Sequence, residues 1–149
     1  MKTITIGGKD YKFEYTIEAS LYSECTETIM DTFLGLGKVQ GLANTNDVNG
    51  FMEELKNTIA NVPIKALTLF HAGLLENHDF SKEESKELLK AYIKESGKSF
   101  SDVLGELMEI MTEDNFFDLI GLNQMFQTTK RGRKKKENTE VGESTSNEE

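Results

Sequence analysis

Residues 63–77 read Pro-Ile-Lys-Ala-Leu-Thr-Leu-Phe-His-Ala-Gly-Leu-Leu-Glu-Asn and form the longest mostly apolar stretch of the chain. Pro63 suits the first turn of a helix, because the backbone N–H that proline lacks would have no partner there. At about 100° per residue the large apolar side chains fall on one broad face, formed by Ile64, Leu67, Phe70, Leu74 and Leu75. The stretch therefore predicts a central helix that begins at Pro63, and flanking helices must cover its apolar face.

The composition divides the 149-residue chain into two parts. Apolar residues are concentrated before Phe126 and nearly absent after it, which predicts one folded domain over residues 1–126 and a disordered charged tail over residues 127–149. The formal net charge is -9, and the excess acidic charge lies in the folded part. An acidic domain repels nucleic acid and anionic membranes, so neither is an expected partner.

Nothing in the sequence indicates export. Cys25 is the only cysteine, so no disulfide can form within the chain. The N-terminal residues lack an apolar run of signal-peptide length, and no stretch reaches the length that crosses a bilayer. We therefore expect an intracellular, soluble protein without a membrane partner.

Apolar residues alternate with polar ones near the N-terminus, on either side of Gly7 and Gly8. The alternating residues are Ile4, Ile6, Tyr11, Phe13 and Tyr15. This period of two, interrupted by glycines, predicts a β-hairpin.

Helical spacing then begins at residue 17 and is ended by Gly35 and Gly37, which predicts a long loop over residues 35–49. Asn49 is a good N-cap for a short helix before Pro63. Two later helices have the start signals of capping boxes, Ser81 with Glu84 and Ser99 with Asp102. The predicted fold is mainly α, a small α+β helical bundle around a central helix with a short N-terminal β-hairpin.

The segment of residues 116–126 is apolar on most of its circumference. A helix of that kind must bury two faces, of which one can pack on the domain and the other on a partner. The sequence therefore predicts a partner-binding face on this segment, formed by Phe116, Phe117, Ile120, Leu122 and Phe126, to which the loop near residues 35–49 can contribute.

No group of residues predicts catalysis, a cofactor or a metal site. Cys25 lies in an apolar stripe close to Glu24 and Glu27, so we expect a core residue rather than a nucleophile. His71 lies at the border of the apolar face of the central helix, where we expect a buried neutral imidazole with a backbone partner. Zinc needs three or four ligands, and the chain has only two histidines, His71 and His78. The sequence thus predicts a protein that is not an enzyme.

The order of these segments resembles a known family. The hairpin has the form Ile-x-Ile-Gly-Gly-Lys-x-Tyr-x-Phe-x-Tyr over residues 4–15. Later stretches are Gly-Lys-Ser-Phe-x-x-x-Leu-Gly-Glu-Leu-Met-Glu-x-Met over residues 97–111 and Phe-Phe-x-Leu-Ile-Gly-Leu over residues 116–122. Together with residues 67–78, they are similar to the tail assembly chaperones of long-tailed bacteriophages that infect Gram-positive bacteria. The resemblance covers residues 1–126 and consists of packing motifs.

The resemblance implies a small chaperone made in the host cytoplasm and absent from the finished virion. Its partner would be the long, helical tape measure protein, which it keeps soluble, and it would promote the polymerisation of tail tube subunits around that protein. Many members of the family also exist as a longer, frameshifted product whose extension contacts the tail tube protein. An A-rich slippery sequence encoding Lys134, Lys135 and Lys136 would produce that form in this protein.

A second interpretation is a small adaptor or nucleic-acid-associated regulator that uses the basic run of residues 130–136 in the tail. The run has no aromatic residues between its charges, and the domain before it is acidic, so both features argue against nucleic-acid binding. The sequence gives no copy number, although the open hairpin edges and the surplus of apolar helix faces favour a homo-oligomer.

Overall fold

The computed structural model describes residues 1–122, and this part of the chain contains a hairpin followed by helices. Two strands come first, β1 (Lys2–Ile6) and β2 (Lys9–Phe13). The helices that follow are α1 (Ile17–Leu21), α2 (Ser23–Ala43), α3 (Val48–Leu74), α4 (Lys82–Ser96), α5 (Phe100–Glu113) and α6 (Phe116–Leu119). The prediction of a mainly α fold with a short N-terminal hairpin is confirmed.

Residues Met1–Phe116 form one compact unit, and the chain from Phe117 on belongs to a second unit, of which residues 117–122 are described. The predicted domain boundary at residue 126 and the predicted tail over residues 127–149 lie outside the described residues. Every element from β1 to α5 lies in the first unit, so the core is that of residues 1–116.

The hairpin is set by its turn. β1 and β2 are antiparallel, and Ile6 lies opposite Lys9 across Gly7 and Gly8, whose φ angles are 58° and 78°. Positive φ at both positions is what a type I′ turn requires, and glycine adopts it without strain. The Gly7 N–H donates a 2.8 Å hydrogen bond to Glu95, which holds the turn on α4. One face of the hairpin is buried, and its core residues are Ile4, Ile6 and Phe13.

α2 does not end where the sequence predicts. It continues through Gly35 and Gly37 for 21 residues, so the predicted loop over residues 35–49 is wrong, and only residues 44–47 connect α2 to α3. A glycine inside a helix costs about 1 kcal/mol relative to alanine. α2 packs along α3 in this region, and a Cβ at Gly35 would lie 3.7 Å from the Thr58 hydroxyl. Contact between the two helices therefore overrides the local preference of the glycines.

α3 is one helix of 27 residues, and the prediction of two helices separated before Pro63 is wrong. Its N-cap is Asp47, whose carboxylate accepts a 3.0 Å hydrogen bond from the Gly50 N–H, and not the predicted Asn49. Pro63 lies inside the helix and removes the hydrogen bond that an N–H would donate to the Ile59 carbonyl. Because Ile59 is exposed, water can satisfy that carbonyl, and the helix continues past the proline.

α4 and α5 begin where the sequence predicts. In each, the N-cap serine and the acidic residue three positions later exchange two hydrogen bonds, and the pairs are Ser81/Glu84 and Ser99/Asp102. Both predicted capping boxes are therefore confirmed. α4 ends at Gly97, whose φ of 71° is the left-handed conformation that commonly follows a helix.

The C-terminal part of α3 is the centre of the core. Every residue from Thr68 to Leu74 is buried, and β2, α4 and α5 all pack on α3. The ring of Phe70 lies 4.8 Å from that of Phe13 on β2 and 6.3 Å from that of Tyr92 on α4. Residues 68–74 are thus the part of the predicted central helix that organises the fold.

The buried face of α3 is not centred where the sequence predicts. Ile64, expected on that face, is 65% exposed, whereas Ala66 and Gly73 are fully enclosed. The side chains of Phe13 and Tyr15 approach to 3.0 Å from the position of a Cβ at Gly73. A pattern based on large apolar residues misplaces the face, because small residues at its centre allow the hairpin to approach so closely.

Candidate partner-binding surface

Phe116, the first of the predicted partner-binding residues, is a core residue. It is fully buried, and its ring lies 5.6 Å from that of Tyr15. The prediction that Phe116 belongs to an exposed binding face is therefore wrong, because its side chain is enclosed in the core, in contact with Tyr15.

The other four predicted residues differ in their exposure. Leu122 is buried, Phe117 and Ile120 are half-buried, and Phe126 lies outside the described residues. Partner binding through Phe117, Ile120, Leu122 and Phe126 stays a prediction.

A larger apolar surface lies on the parts of α2 and α3 that are distant from the core. We call residues 30–65 the arm, which consists of the second part of α2, the connection over residues 44–47 and the first part of α3. No residue of the arm is fully buried, whereas Ile29 and Ala66, which flank it, both are. In the described part of the chain, the hydrophobic core thus ends at the base of the arm.

The arm nevertheless carries large apolar side chains on its outside. The exposed ones are Leu34, Leu36, Val48, Met52 and Ile59, while Ile64 is also exposed but lines the polar side of the arm between α2 and α3. A single exposed leucine is ordinary, but a group of such side chains on one short segment marks a contact surface. Only the segment of residues 35–49 is predicted from the sequence to contribute to binding, because the expected loop there and the expected helix start at Pro63 interrupt the pattern of the rest.

Two open surfaces run along the arm. The first is a mainly apolar face of α3, and its residues are Met52, Glu53, Leu55, Lys56, Ile59 and Ala60. The second, a groove of about 430 Å³, lies between α2 and α3 and is lined largely by polar groups, among them Asp31, Lys38, Glu54 and Lys65. Acidic and basic groups are mixed around this groove, so it does not concentrate one sign of charge for an ionic ligand.

A buried histidine–serine pair resembles a catalytic base and nucleophile in distance only. His71 Nδ1 and Ser85 Oγ lie 2.8 Å apart, but Ser85 is fully buried, so no substrate can reach its hydroxyl. Burial and the nearby Lys82 lower the pKa of His71, against a smaller raising effect of Glu24. The pair is a structural hydrogen bond. The prediction that His71 bonds to the backbone is wrong, because its ring forms this hydrogen bond with the Ser85 side chain.

Cys25 and His78 are also structural. Cys25 lies in the core, as predicted, and burial raises the pKa of its thiol to about 12, so the reactive thiolate is scarce at neutral pH. His78 Nε2 accepts a 3.2 Å hydrogen bond from the Lys12 N–H, and its ring stacks on Phe80 at 5.1 Å. Within residues 1–122, no three His, Cys, Asp or Glu side chains are grouped so that they could hold a metal ion.

A charged cluster ties the hairpin to α4 and α5. Glu106 accepts hydrogen bonds from Lys2 at 2.7 Å, from Lys98 at 2.8 Å and from the Tyr92 hydroxyl at 2.6 Å. Burial alone would raise the pKa of Glu106, but these hydrogen bonds outweigh it and lower the pKa to about 2. The carboxylate therefore stays ionised at neutral pH and clamps three elements together.

Comparison of the chain with known protein families, with curated proteins and with solved structures finds no match. Among the described helices, none combines the length and the hydrophobicity that crossing a membrane requires. Since the candidate reactive groups are engaged in the fold, the arm is the strongest candidate for a functional surface within residues 1–122.

Proposed function

We propose that this protein is a tail assembly chaperone of a long-tailed bacteriophage. It is a non-enzymatic protein that binds the tape measure protein in the host cytoplasm, keeps it soluble and leaves as tail tube subunits polymerise around it. The observation that carries the proposal is the arm, in which two helices extend beyond the core and expose large apolar side chains. The resemblance of residues 1–126 to the family supplies the identity of the partner.

The arm suits a partner that is itself helical and amphipathic. A long tape measure helix without its tube exposes apolar stripes, and exposed stripes aggregate in water. Contact with the arm would bury part of such a stripe, which contributes roughly 25 cal/mol per Å² of apolar area. Several chaperone copies along one helix would hold it through many weak contacts, each of which a tube subunit can displace.

The candidate reactive groups support a binding role over catalysis. The Ser85 hydroxyl and the Cys25 thiol are fully buried, and the Glu106 carboxylate is occupied by three hydrogen bonds. A nucleophile or general base must reach its substrate. The serine and the cysteine are buried, and the glutamate is already bonded to other side chains of the domain. The exposed apolar side chains of the arm, in contrast, are accessible to a partner.

Co-expression with the tape measure protein tests the proposal. We expect the soluble fraction of the tape measure protein to rise several-fold when the full chain is present. An unrelated acidic protein of similar size, expressed at the same level, should give no rise. Equal insolubility of the tape measure protein with and without this chain would contradict the proposed function.

The proposal includes contact with the tail tube protein through a longer, frameshifted product. The codons for Lys134, Lys135 and Lys136 and the reading frames that overlap them test this part. If those codons cannot slip and no overlapping frame follows, the longer product is ruled out, while binding of the tape measure protein is unaffected.

A further inference from the structure

α3 carries a regular apolar seam along its whole length. The seam positions follow one another in alternating steps of four and three residues, and they are Val48, Met52, Leu55, Ile59, Val62, Ala66, Leu69 and Gly73. This is the a and d spacing of a heptad repeat, by which one helix packs along another. Pro63 lies beside the seam and does not interrupt it.

Only part of this seam is covered. The last three positions are buried in the core, whereas the first five are exposed or half-buried. α3 with 27 residues is about 40 Å long, but α4 with 15 and α5 with 14 residues are about 22 Å and 21 Å long. α4 and α5 are therefore too short to cover α3, and α2, which packs along the arm, leaves Val48, Met52 and Ile59 exposed. We call residues 48–62 of the seam the free seam.

α2 shows the same change along its length. Leu36 lies seven residues after Ile29 and eleven after Cys25, so it shares their face of the helix. Cys25 and Ile29 are fully buried, but Leu36 is 48% exposed. The core-facing sides of both helices thus continue beyond the core, and on the arm they are only partly covered.

We propose that the free seam is the docking site for one α-helix of the tape measure protein, a helix whose apolar residues recur at heptad spacing. That the partner is the tape measure protein rests on the proposed function, whereas its helical form and heptad spacing are inferred from the spacing of the seam residues. A β-strand presents side chains with a period of two and cannot follow steps of four and three. A helix can insert its side chains between Met52, Leu55 and Ile59, on the open apolar face of α3.

A second copy of the chain fits the free seam less well. Parallel pairing of two seams would bring together the two cores, each of which covers its own seam from Ala66 on. Antiparallel pairing would be centred near Leu55, where Lys56 at the neighbouring e position would face its counterpart in the other copy. Like charges that face each other oppose association. The exposed Lys56 instead suits a partner helix that has an acidic residue at the facing position.

The size of the free seam fits reversible binding. Five side chains over about 20 Å form a contact in the class of small, transient interfaces. A contact of this size can be displaced when tube subunits replace the chaperone, and several copies can act together along one long partner.

Ile59 and Ile64 provide a matched test of this site. Both are in the arm part of α3, and their exposures are similar at 61% and 65%. Five residues along a helix correspond to a rotation of about 140°, so Ile64 points away from the free seam. It lines the polar groove with Asp31 and Glu54. Replacing each isoleucine by aspartate therefore introduces the same change on two different faces.

The measurement is fluorescence anisotropy with the full chain and labelled peptides of about 28 residues, or four heptads, that tile the tape measure protein. The wild-type chain should bind peptides with a heptad apolar pattern and not peptides of the same composition in scrambled order. Ile59→Asp should raise the Kd about tenfold or more, as loss of a central apolar anchor does. Ile64→Asp should leave the Kd within about twofold. Met52→Asp repeats the test at a second seam position, and circular dichroism checks that each variant keeps its helices.

Similar Kd changes for Ile59→Asp and Ile64→Asp, or unchanged binding by both seam variants, would overturn the docking site. The proposed function would still stand if the wild-type chain solubilises the tape measure protein. A wild-type chain that binds no peptide and gives no rescue would overturn both proposals. The oligomeric state can be measured by sedimentation. If the wild-type chain is a dimer and only Ile59→Asp makes it a monomer, the free seam binds a second copy, and the proposal that it binds a tape measure helix is wrong.

Discussion

His71 Nδ1 and Ser85 Oγ share a buried hydrogen bond of 2.8 Å that joins α3 to α4. The ring of Tyr22 meets the imidazole edge-on at 5.5 Å, and Lys82 and Glu24 are the charged groups that act on it. Burial, followed by Lys82, lowers the pKa of His71 below its ordinary value. The imidazole is therefore neutral in the folded protein at neutral pH.

This arrangement predicts that acid weakens the fold through His71. Below about pH 6.5, the ordinary pKa of histidine, the unfolded chain binds a proton that the folded protein does not. The free energy of unfolding should therefore decrease as pH falls, until the pH reaches the lowered pKa of His71. Urea denaturation at pH values from about 7.5 to about 5 measures this decrease in the free energy of unfolding. His71→Gln does not titrate and should give a flatter profile, whereas parallel profiles for the two proteins would contradict the assignment.

Gly73 is a point of close contact between α3 and the end of the hairpin, and its replacement tests that packing. The Gly73 carbonyl accepts a 2.9 Å hydrogen bond from the Glu14 N–H, and an added Cβ would lie 3.0 Å from the side chains of Phe13 and Tyr15. Gly73→Ala should lower the free energy of unfolding by about 1–3 kcal/mol through overpacking, although alanine favours a helix. Denaturation in urea measures the change.

Gly105 in α5 is the control, because a Cβ there would meet nothing within 4 Å. Gly105→Ala should raise the free energy of unfolding by up to about 1 kcal/mol, through helix propensity alone. If Gly73→Ala stabilised the protein as Gly105→Ala does, the close approach of the hairpin would be wrong.

The elements that the sequence predicts well depend on residues close together in the chain. The Gly7-Gly8 turn and the two capping boxes act over a few positions, so their chemistry is visible without the fold. The arm depends on contacts between distant residues. Gly35 and Pro63 disfavour a helix by themselves, and only the packing of α2 on α3 shows that each helix continues through them.

The cover of an apolar segment is hard to predict for a related reason. The apolar composition of residues 116–126 predicts burial, but it does not say whether a partner or the chain itself provides the cover. Phe116 is covered by Tyr15, which is far earlier in the chain. The seam of α3 is visible in the sequence as steps of four and three residues, once the helix is allowed to run through Pro63.

Glu106→Gln tests the clamp between the hairpin, α4 and α5. It should lower the free energy of unfolding by roughly 1–2 kcal/mol, since hydrogen bonds to a charged group are lost and Lys2 and Lys98 are partly screened by solvent. Glu109→Gln changes an exposed side chain of the same helix and should have an effect within about 0.5 kcal/mol. Equal effects of the two substitutions in urea denaturation would show that the clamp is not stabilising.

The Glu106 carboxylate should also make the free energy of unfolding depend on pH, in a more acidic range than His71 does. The pKa of Glu106 in the folded protein is about 2, below the ordinary value of about 4.3 for an unfolded chain. Its contribution to stability is therefore present above about pH 4.3 and should be lost as pH falls toward about 2. Thermal unfolding over this range should be less pH-dependent in Glu106→Gln than in the wild type. An unchanged dependence would mean that the carboxylate is not held ionised by its three partners.

Pro63→Ala tests whether the arm is a locally weak part of the fold. Alanine supplies the N–H that the Ile59 carbonyl lacks, so the helix of the arm should gain about 1–3 kcal/mol. Hydrogen exchange of the amides in residues 48–65 should slow accordingly, because these residues lie beyond the core and can open locally. Ala60→Gly, at an exposed position of the same segment, should speed their exchange by the equivalent of about 1 kcal/mol. The amides of residues 68–74 should change little in both variants, since the core protects them. If all amides of α3 changed together, the arm would unfold only with the core, and the free seam would be as rigid as the domain that carries it.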